Sequence, residues 1–400
     1  MGSNDILYDP FLPEVIADPF PSYHRLRSAA PVHLSPLGFW ILTRYNDCMM
    51  VLRDPRFGRE GYEGALEAMY RSIAEDERLP RSLLFRDPPD HTRLRGLVNR
   101  AFTSRVIEGL RSRIEQIVDG LLDQIQGSGG MEVIADLAYP LPVTVISEML
   151  GVPERDRDAI KHWSADLARS LDAIGVPVAG DLVARGRDAR RALGEYFRHL
   201  IPERRRQPSA DLLSQLIAVS DQGDKLSEGE LVATCVLLYT AGHETTVNLI
   251  GNGLLALLRH PAEMARLYAD PGLIPSAVEE MLRYDGPVQR TARVAQTDLE
   301  IDGHKIAKGK MVAVFLGAAN RDPAQFPDPD RLDVGRADNR HIAFGFGIHF
   351  CLGAPLARLE AQITFARLLR RAPRLALATE TPEWRESQVL RGLAALPVTF

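Results

Sequence analysis

A long apolar segment in the second half of the chain constrains the fold more than any other feature. Ser227-Glu-Gly-Glu230 has the pattern of a capping box, in which the Ser227 side chain bonds the backbone of Glu230 and Glu230 reaches back. The pattern predicts a helix that begins here and runs to Arg259-His260, where Pro261 ends it. Because this helix is apolar on nearly all sides, we expect it to lie at the centre of a mainly helical protein.

Polar residues interrupt the middle of the predicted helix. Gly242, Glu244, Thr245 and Thr246 lie close together there, and buried polar groups are costly unless they are paired. One explanation is structural, because a threonine can bond the helix backbone one turn earlier and the glutamate can pair with a buried arginine. The other is functional: Gly242 leaves space beside a ligand, the helix widens locally, and Glu244 relays protons. The sequence leaves both explanations open.

A glycine-rich turn near the carboxyl end presents a single cysteine. Phe344-Gly-Phe-Gly-Ile-His-Phe-Cys-Leu-Gly353 precedes a predicted helix that begins at Ala354, with Pro355 in its first turn. A lone cysteine is often a small buried hydrophobic residue. At a helix N-terminus, however, we expect the thiol pKa of Cys351 to be lowered, because the partial positive charge there favours the thiolate. A thiolate presented in this way suits the fifth ligand of a haem iron.

Composition and charge exclude several classes of protein. A net charge of −5 gives no indication of nucleic-acid binding. The three cysteines are too far apart to suggest a disulfide framework, which favours the cytoplasm as the compartment. The N-terminus resembles neither a signal peptide nor a membrane anchor. His243-Glu244 begins a zinc-protease pattern, but Val247 stands where the second histidine is required.

The rest of the chain shows a coarse division into helical and β-rich parts. Helical spacing predicts a helical body over residues 90–283 and 354–371, and alternating patterns predict β-rich parts near 31–45, 285–320 and the C-terminal end. Residues 54–87 lack a clean period and are predicted to be a helix-poor connection that caps a pocket. We expect one domain over residues 1–400.

Three motifs together resemble those of the cytochromes P450. Phe344-Gly345-x-Gly347-x-His349-x-Cys351-x-Gly353 is similar to the haem-binding loop of that family, and Ala241-Gly242-x-Glu244-Thr245-Thr246 to its oxygen-activation motif. Glu280-Met-Leu-Arg283 matches its Glu-x-x-Arg core pair. The resemblance covers nearly the whole chain. It implies a mainly α fold of the soluble bacterial type, with a triangular helical body and a smaller β-rich region.

The resemblance also implies roles for individual residues. Cys351 would bind the iron of haem b, and Thr245 and Glu244 would steer protons to dioxygen. Glu280 and Arg283 would hold the fold around the haem, joined by a downstream loop arginine, for which we choose Arg331. Further haem contacts are implied at His91, Arg95, Arg293, His349, Phe344, Gly345, Ala241 and Gly353. Arg290 competes with Arg293 for its role, and the spacing to the following strand favours Arg293.

Substrate and partners follow from the same resemblance. The implied activity is oxidation of an apolar small molecule such as a fatty acid, a polyketide or macrolide, or a steroid, as in the subgroup that includes macrolide hydroxylases and a biotin-pathway fatty-acid oxidase. The pocket is predicted to include the capping connection together with Leu237, Tyr239, Val288, Gln289 and Leu393. Electrons would come from NAD(P)H through a separate ferredoxin or flavodoxin and its reductase, docked to a monomer at Arg93, Arg100 and Arg358. A peroxide-driven enzyme and a non-catalytic haem sensor are the alternatives.

Overall fold

Helix greatly exceeds strand in the computed structural model, which describes residues 8–61, 80–173, 180–221 and 226–400. This confirms the predicted mainly α class. The α-helices in these ranges are α1 Pro13–Ala17, α2 Phe20–Ala29, α3 Tyr45–Arg53, α4 Asp90–Ala101, α5 Ser104–Gly109, α6 Arg111–Gln124, α7 Pro140–Met149, α8 Arg157–Arg169, α9 Gly180–Arg206, α10 Leu212–Asp221, α11 Glu228–Arg259, α12 Pro261–Ala269, α13 Ile274–Asp285, α14 Leu316–Ala319 and α15 Ala354–Arg371. Of the capping connection predicted over 54–87, residues 62–79 lie outside the described ranges.

The long helix α11 forms the centre of the helical body, as its sequence predicts. Its capping box is present: the Glu230 amide donates to Ser227 Oγ at 3.2 Å, and the Ser227 amide donates to the Glu230 carboxylate at 2.8 Å. The helix packs against α7, α8, α9, α13 and α15, and most of its side chains are buried. Burial on all sides is the reason that the segment is apolar all round.

A five-stranded sheet borders the helical body. The β-strands are β1 Val32–Leu34, β2 Trp40–Leu42, β3 Phe57–Gly58, β4 Gly130–Glu132, β5 Arg290–Ala295, β6 Leu299–Ile301, β7 His304–Ile306, β8 Met311–Phe315, β9 Ala376–Leu377, β10 Glu383–Trp384, β11 Leu393–Ala395 and β12 Pro397–Thr399. The sheet has the order β1-β2-β8-β5-β3, and antiparallel β3 sets Gly58 opposite Val294. Smaller sheets pair β4-β12-β9, β10-β11 and β6-β7.

The predicted Glu280–Arg283 pair lies at the centre of a buried network. Both side chains are fully buried, and two guanidinium nitrogens of Arg283 donate to the Glu280 carboxylate at 2.7 and 2.8 Å. The choice of Arg331 as the third member is wrong, because Arg331 contributes only its backbone carbonyl to Arg283. Arg336 instead donates its Nε to both Glu280 oxygens, at 3.2 and 3.1 Å. No helix within the described ranges is long and apolar enough to cross a membrane.

Candidate active site

The cysteine loop is closed by a hydrogen bond between its two ends and leads directly into α15. The Cys351 amide donates to the Phe344 carbonyl at 3.0 Å, so the two ends of the turn meet. Gly345 and Gly347 have φ values of +69° and +73°, which only glycine adopts readily. A Cβ on Gly347 would also overlap the Leu52 carbonyl oxygen. The loop therefore requires glycine, and it holds the cysteine at the start of α15, with Pro355 in the first turn as predicted.

The Cys351 side chain is exposed to a cavity that lies inside the protein, so protein atoms replace much of the bulk water around the thiol. Burial raises its pKa, while hydrogen bonds from the Gly353 and Ala354 amides and the charges of Arg95 and Arg358 act in the opposite direction. The predicted lowering of this pKa is therefore wrong for the chain by itself, because desolvation outweighs the helix N-terminus. A metal bound to the sulfur would remove the thiol proton outright.

An apolar cavity of about 340 Å³ lies between the cysteine loop, the middle of α11 and strand β5. Its wall includes Phe344, Gly345, Cys351, Gly353 and Ala241, as predicted. Among the described residues of the wall no side chain is acidic, whereas the basic members are Arg59, Arg95, Arg290, Arg293 and His349. The cavity thus combines a sulfur, an apolar wall and a rim of positive charge.

His349 at the rim and the neighbouring His91 lack hydrogen-bond partners among the described residues. The rings of His91 and His349 lie 4.2 Å apart, and all four of their nitrogens are buried without a partner among the described residues. Burial lowers the pKa of His349 to about 2, with Arg59 and Arg293 adding to the effect. Burial lowers the pKa of His91 as well, and Arg95 contributes. Buried polar groups are normally paired, so this cluster fits a ligand that brings acceptors and negative charge.

The arginines of the rim are positioned by the sheet and by the cysteine loop. Arg95 donates to the Phe350 carbonyl at 2.8 Å, which ties α4 to the loop. The charge of Arg293 lowers the pKa of both imidazoles, whereas Arg290 interacts with Asp172 and two tyrosines. This placement favours Arg293 over Arg290. Arg59 was missed by the sequence analysis, although it donates to Thr291 Oγ1 at 3.1 Å beside the cavity.

The donor set fits haem. Its two propionates would supply hydrogen-bond acceptors and negative charge, and arginine binds carboxylates well. The groups that would receive them are His91, His349, Arg59, Arg95 and Arg293. The apolar wall suits the porphyrin faces, and the thiol suits the iron. The residues predicted for the haem contacts are therefore brought together in one place by the fold.

The polar residues in the middle of α11 make the hydrogen bonds expected from the structural explanation, which the sequence alone could not separate from the functional one. Thr245 Oγ1 donates to the Ala241 carbonyl at 3.3 Å, and Arg385 donates to Glu244 at 2.7 Å. Both side chains nevertheless remain beside cavities: Thr245 lines the main cavity and both residues line a neighbouring one. The predicted widening of the helix is wrong, because α11 is α-helical throughout. Gly242 lines the main cavity and also lets α7 approach, since a Cβ there would lie 2.9 Å from Ile146.

A second acid, Glu360 of α15, is buried behind α11 and was not singled out from the sequence. It is fully buried, and neither carboxyl oxygen has a hydrogen-bond partner among the described residues. Burial raises its pKa to about 8, and the nearby Thr246 hydroxyl opposes this rise. Glu360 therefore keeps its proton to a higher pH than an exposed glutamate does.

Two of the five predicted pocket residues line the cavity. Leu237 and Val288 do so. Tyr239 is wrong, because it lies on another face of α11 and its hydroxyl meets Ser147 Oγ at 3.3 Å. Gln289 is wrong, because its side chain turns back to bond the Gly286 carbonyl at 2.8 Å. Leu393 is wrong, because it is packed fully inside the core; Val389 and Leu390 form that part of the wall instead.

The three arginines predicted to dock a redox partner differ in their surroundings. Arg93 forms an ion pair with Glu230 at 2.5 Å, and Arg358 forms one with Glu279 at 2.6 Å while stacking on Phe344. Arg100 is exposed at the end of α4. Arg358 therefore also supports the cysteine loop from behind.

The chain matches the family model described as Cytochrome P450 over residues 62–271 and 272–386. It is 45% identical over 394 residues to the cytochrome P450 monooxygenase PikC of Streptomyces venezuelae, covering 96% of this chain and 91% of that protein. It is 42% identical to the biotin biosynthesis cytochrome P450 of Bacillus subtilis, covering 97% of each. It is also 44% identical to a vitamin D(3) 25-hydroxylase of Pseudonocardia autotrophica, covering 96% and 94%.

Solved structures agree with these matches. The structure of P450BioI in complex with an acyl carrier protein ligated to hexadec-9Z-enoic acid superposes with a TM-score of 0.89 at 42% identity, covering 97% of this chain and 99% of that one. The myxobacterial cytochrome P450 CYP267B1 in complex with myristic acid also gives 0.89, at 46% identity and 98% coverage of both chains.

Proposed function

Because the chain belongs to the cytochrome P450 family and is a haem-thiolate monooxygenase, we propose that Cys351 is its iron ligand and that His91, His349, Arg59, Arg95 and Arg293 hold the haem propionates. Haem bound there would supply the oxygen chemistry, in which one atom of dioxygen enters a C–H bond and the other leaves as water, with two electrons and two protons consumed. The observation that carries this assignment is the contact between His91 and His349, whose ring nitrogens have no partner among the described residues, with His349 lining the same cavity as Cys351.

The protein's own residues prepare this cavity for the reaction. The glycine loop fixes the sulfur, and Arg358 stacks on Phe344 at 4.5 Å, which stiffens the loop from behind. The apolar wall excludes water from the reacting carbon and binds an apolar substrate. Ala241 and Val288 line the cavity beside the sulfur, and the small side chain of Ala241 leaves room there for a ligand.

We propose that Glu244 and Thr245 bring protons to this space. Glu244 and Thr245 both line the neighbouring cavity, and Arg385 donates to the Glu244 carboxylate at 2.7 Å. If the Arg385 contact opens, the Glu244 carboxylate is free to take up a proton and pass it toward the Thr245 hydroxyl. Thr245 would then release its bond to the Ala241 carbonyl and donate into the cavity.

A reductase supplies the electrons, and we propose that they come from NAD(P)H through a separate ferredoxin or flavodoxin. Arg100 is the most accessible of the three predicted docking arginines, since Arg93 and Arg358 are engaged in ion pairs. The expectation of a monomer stays a prediction. For the substrate we propose an apolar small molecule such as a fatty acid, a polyketide or macrolide, or a steroid; a vitamin D(3) 25-hydroxylase and a cytochrome P450 in complex with myristic acid are among the relatives.

The proton route is tested with a matched pair of threonine variants. In Thr245→Ala we expect haem and substrate binding to be retained while most electrons from NAD(P)H end in hydrogen peroxide, because the donor beside dioxygen is lost. Thr234→Ala is the control, because Thr234 makes the same kind of bond in α11, to the Glu230 carbonyl at 2.7 Å, away from both cavities. Product formed per NAD(P)H consumed is the measurement. An unchanged ratio in Thr245→Ala would remove the proposed role.

A further inference from the structure

An ion pair behind the cysteine loop joins residues on either side of that loop. Glu279 of α13 accepts from Arg358 through both carboxylate oxygens, at 2.6 Å from Nε and at 2.8 Å from a terminal guanidinium nitrogen. His341 Nε2 lies 3.0 Å from the same carboxylate. His341 precedes the loop in the chain and Arg358 follows it in α15, so Glu279 connects the two ends of the loop from a third element.

The hydrogen bonds of this cluster fix its charges. The Ala343 amide donates to His341 Nδ1 at 3.2 Å, so the proton of the ring is on Nε2, which donates to Glu279. Burial raises the pKa of Glu279, but the hydrogen bonds from Arg358 and His341 outweigh burial and lower the pKa to about 2. Glu279 is therefore a carboxylate at neutral pH, and it lies directly against the positive charge of Arg358.

Arg358 connects the ion pair to the sulfur. Its guanidinium stacks on the Phe344 ring at 4.5 Å from the centroid, and the Phe344 carbonyl accepts from the Cys351 amide at 3.0 Å. The charge of Arg358 also favours the Cys351 thiolate over the thiol. Glu279 opposes that charge at close range. The electrostatic potential at the sulfur thus depends on both members of the pair.

Glu279 differs from the adjacent Glu280 in what it contacts. Glu280 is fully buried and binds Arg283 and Arg336 in the network that holds the core. The side chains of Glu279 and Arg358 are 28% and 30% exposed, and they face the cysteine loop instead. A partly buried pair is screened less by salt than an exposed one, and the bidentate contact fixes the direction of the guanidinium. The charges of this pair therefore act from a fixed position.

We propose that Glu279 is a positioning residue that holds Arg358 behind the cysteine loop and sets the reduction potential of haem bound to Cys351 through the charge of Arg358. This proposal rests on the haem ligation by Cys351 proposed above. Reduction by one electron adds a negative charge to the iron and its sulfur ligand. A positive charge beside the sulfur favours this step and a negative charge disfavours it, so Arg358 raises the potential and Glu279 limits the rise.

The test is a redox titration of the haem-loaded protein with small mediators and without a redox partner, so that docking does not enter the measurement. At a fixed potential, Glu279→Gln should raise the ratio of ferrous to ferric haem severalfold, because it leaves Arg358 uncompensated. Arg358→Gln should lower that ratio severalfold, because it leaves Glu279 uncompensated. The double variant should return close to the wild type. A tenfold change in this ratio is equivalent to about 59 mV for one electron.

The opposite signs of the two shifts separate an electrostatic role from a merely structural one. If the pair only stiffened the loop, either single replacement would loosen the loop and both would shift the potential in the same direction. Glu279→Asp keeps the charge and should stay near the wild type. Shifts of the same sign in Glu279→Gln and Arg358→Gln, or a ratio in Glu279→Gln within error of the wild type, would overturn the proposal.

Glu148→Gln and Arg113→Gln are the matched controls. Glu148 of α7 accepts from Arg113 of α6 through both carboxylate oxygens, at 2.7 and 2.9 Å, and neither residue lines the cavity. The control variants remove the same charges from a similar pair, and shifts as large as those at Glu279 and Arg358 would overturn the proposal. If Glu279→Gln does not retain haem, the Arg358 variants decide: Arg358→Gln must lower the ratio and Arg358→Lys must keep it, and equal ratios in the two would overturn the proposal.

Failure of this inference is distinguishable from failure of the proposed function. A wild-type protein that shows the shifted Soret band of the reduced carbon-monoxide complex, with a Glu279→Gln variant that keeps both the band and the wild-type potential, contradicts only the role of Glu279. A wild-type protein without that band contradicts the haem-thiolate function and the inference that rests on it.

Discussion

Replacement of the buried Glu360 by glutamine should change how stability depends on pH. Glu360 is fully buried and its oxygens have no hydrogen-bond partner among the described residues, so the folded state disfavours its charged form. Burial raises its pKa from 4.5 to about 8. The folded state therefore holds the proton more tightly than the unfolded state does. The contribution of Glu360 to the stability of the wild type should be highest below pH 4.5, fall as the pH rises toward about 8, and then level off.

The size of this effect follows from the two pKa values. The shift from 4.5 to about 8, at about 1.36 kcal/mol per unit, means that ionisation of Glu360 alone removes about 5 kcal/mol of stability across that range. Glutamine has no proton to lose, so Glu360→Gln should not show this loss. The difference in unfolding free energy between variant and wild type should grow with pH, at a slope of about 1.4 kcal/mol per unit.

Urea unfolding of the haem-loaded protein, followed by circular dichroism between pH 5 and 8.5, measures this difference. The control is Glu380→Gln, the same change at an exposed position. We expect the control and the wild type to run parallel, while Glu360→Gln diverges upward from them. If the Glu360→Gln curve stays parallel to the wild type across the whole range, the carboxyl group is not held neutral by burial and the reasoning is refuted.

Two further changes probe the frame around the site. Glu280→Gln should lower the unfolding free energy by about 3–5 kcal/mol, because it leaves the fully buried Arg283 without its counter-charge; urea unfolding measures it, and a loss within error of that for Glu108→Gln at an exposed pair would contradict the buried network. Gly347→Ala should lower haem content and stability more than Gly38→Ala does. Both positions have positive φ, but only a Cβ at position 347 would overlap the Leu52 carbonyl oxygen. Equal losses in the two alanine variants, measured by haem absorbance and urea unfolding, would show that this overlap has no effect.

Local sequence patterns were sufficient to predict those elements whose start and geometry depend on neighbouring residues in the chain. The capping box starts α11 where Ser227 predicts, and the glycines with Pro355 place the cysteine loop at the start of α15. Both are determined by neighbours along the chain, so their geometry follows from spacing. Leu237 and Val288 line the cavity as the family resemblance implies, which local spacing alone does not determine.

Contacts between distant segments could not be predicted in this way. Arg59 reaches the rim because β3 pairs with β5, which brings it toward Arg293, and nothing near Arg59 signals that pairing. Arg336 replaces Arg331 in the buried network because of how the loop after α14 folds back. Glu360 did carry a signal: a single acid on the apolar face of α15.

Three predictions of pocket residues were wrong for a related reason. Tyr239 and Gln289 stand next to correct positions in the sequence, but neighbouring residues on a helix or an extended segment point in different directions. Leu393 belongs to a strand whose buried face is turned to the core, and Leu390 takes its place. Which face meets the cavity depends on tertiary packing.

The central claim is that the Cys351 sulfur binds haem iron, and the spectrum of the reduced carbon-monoxide complex tests it most directly. Purified protein reduced with dithionite and exposed to carbon monoxide should show the Soret band at the long-wavelength position of thiolate-ligated haem. Cys351→Ser should lose that band, and Cys48→Ser, a change at a fully buried cysteine away from the cavity, should keep it. An unshifted band in the wild type, or a shifted band that survives in Cys351→Ser, would contradict the account.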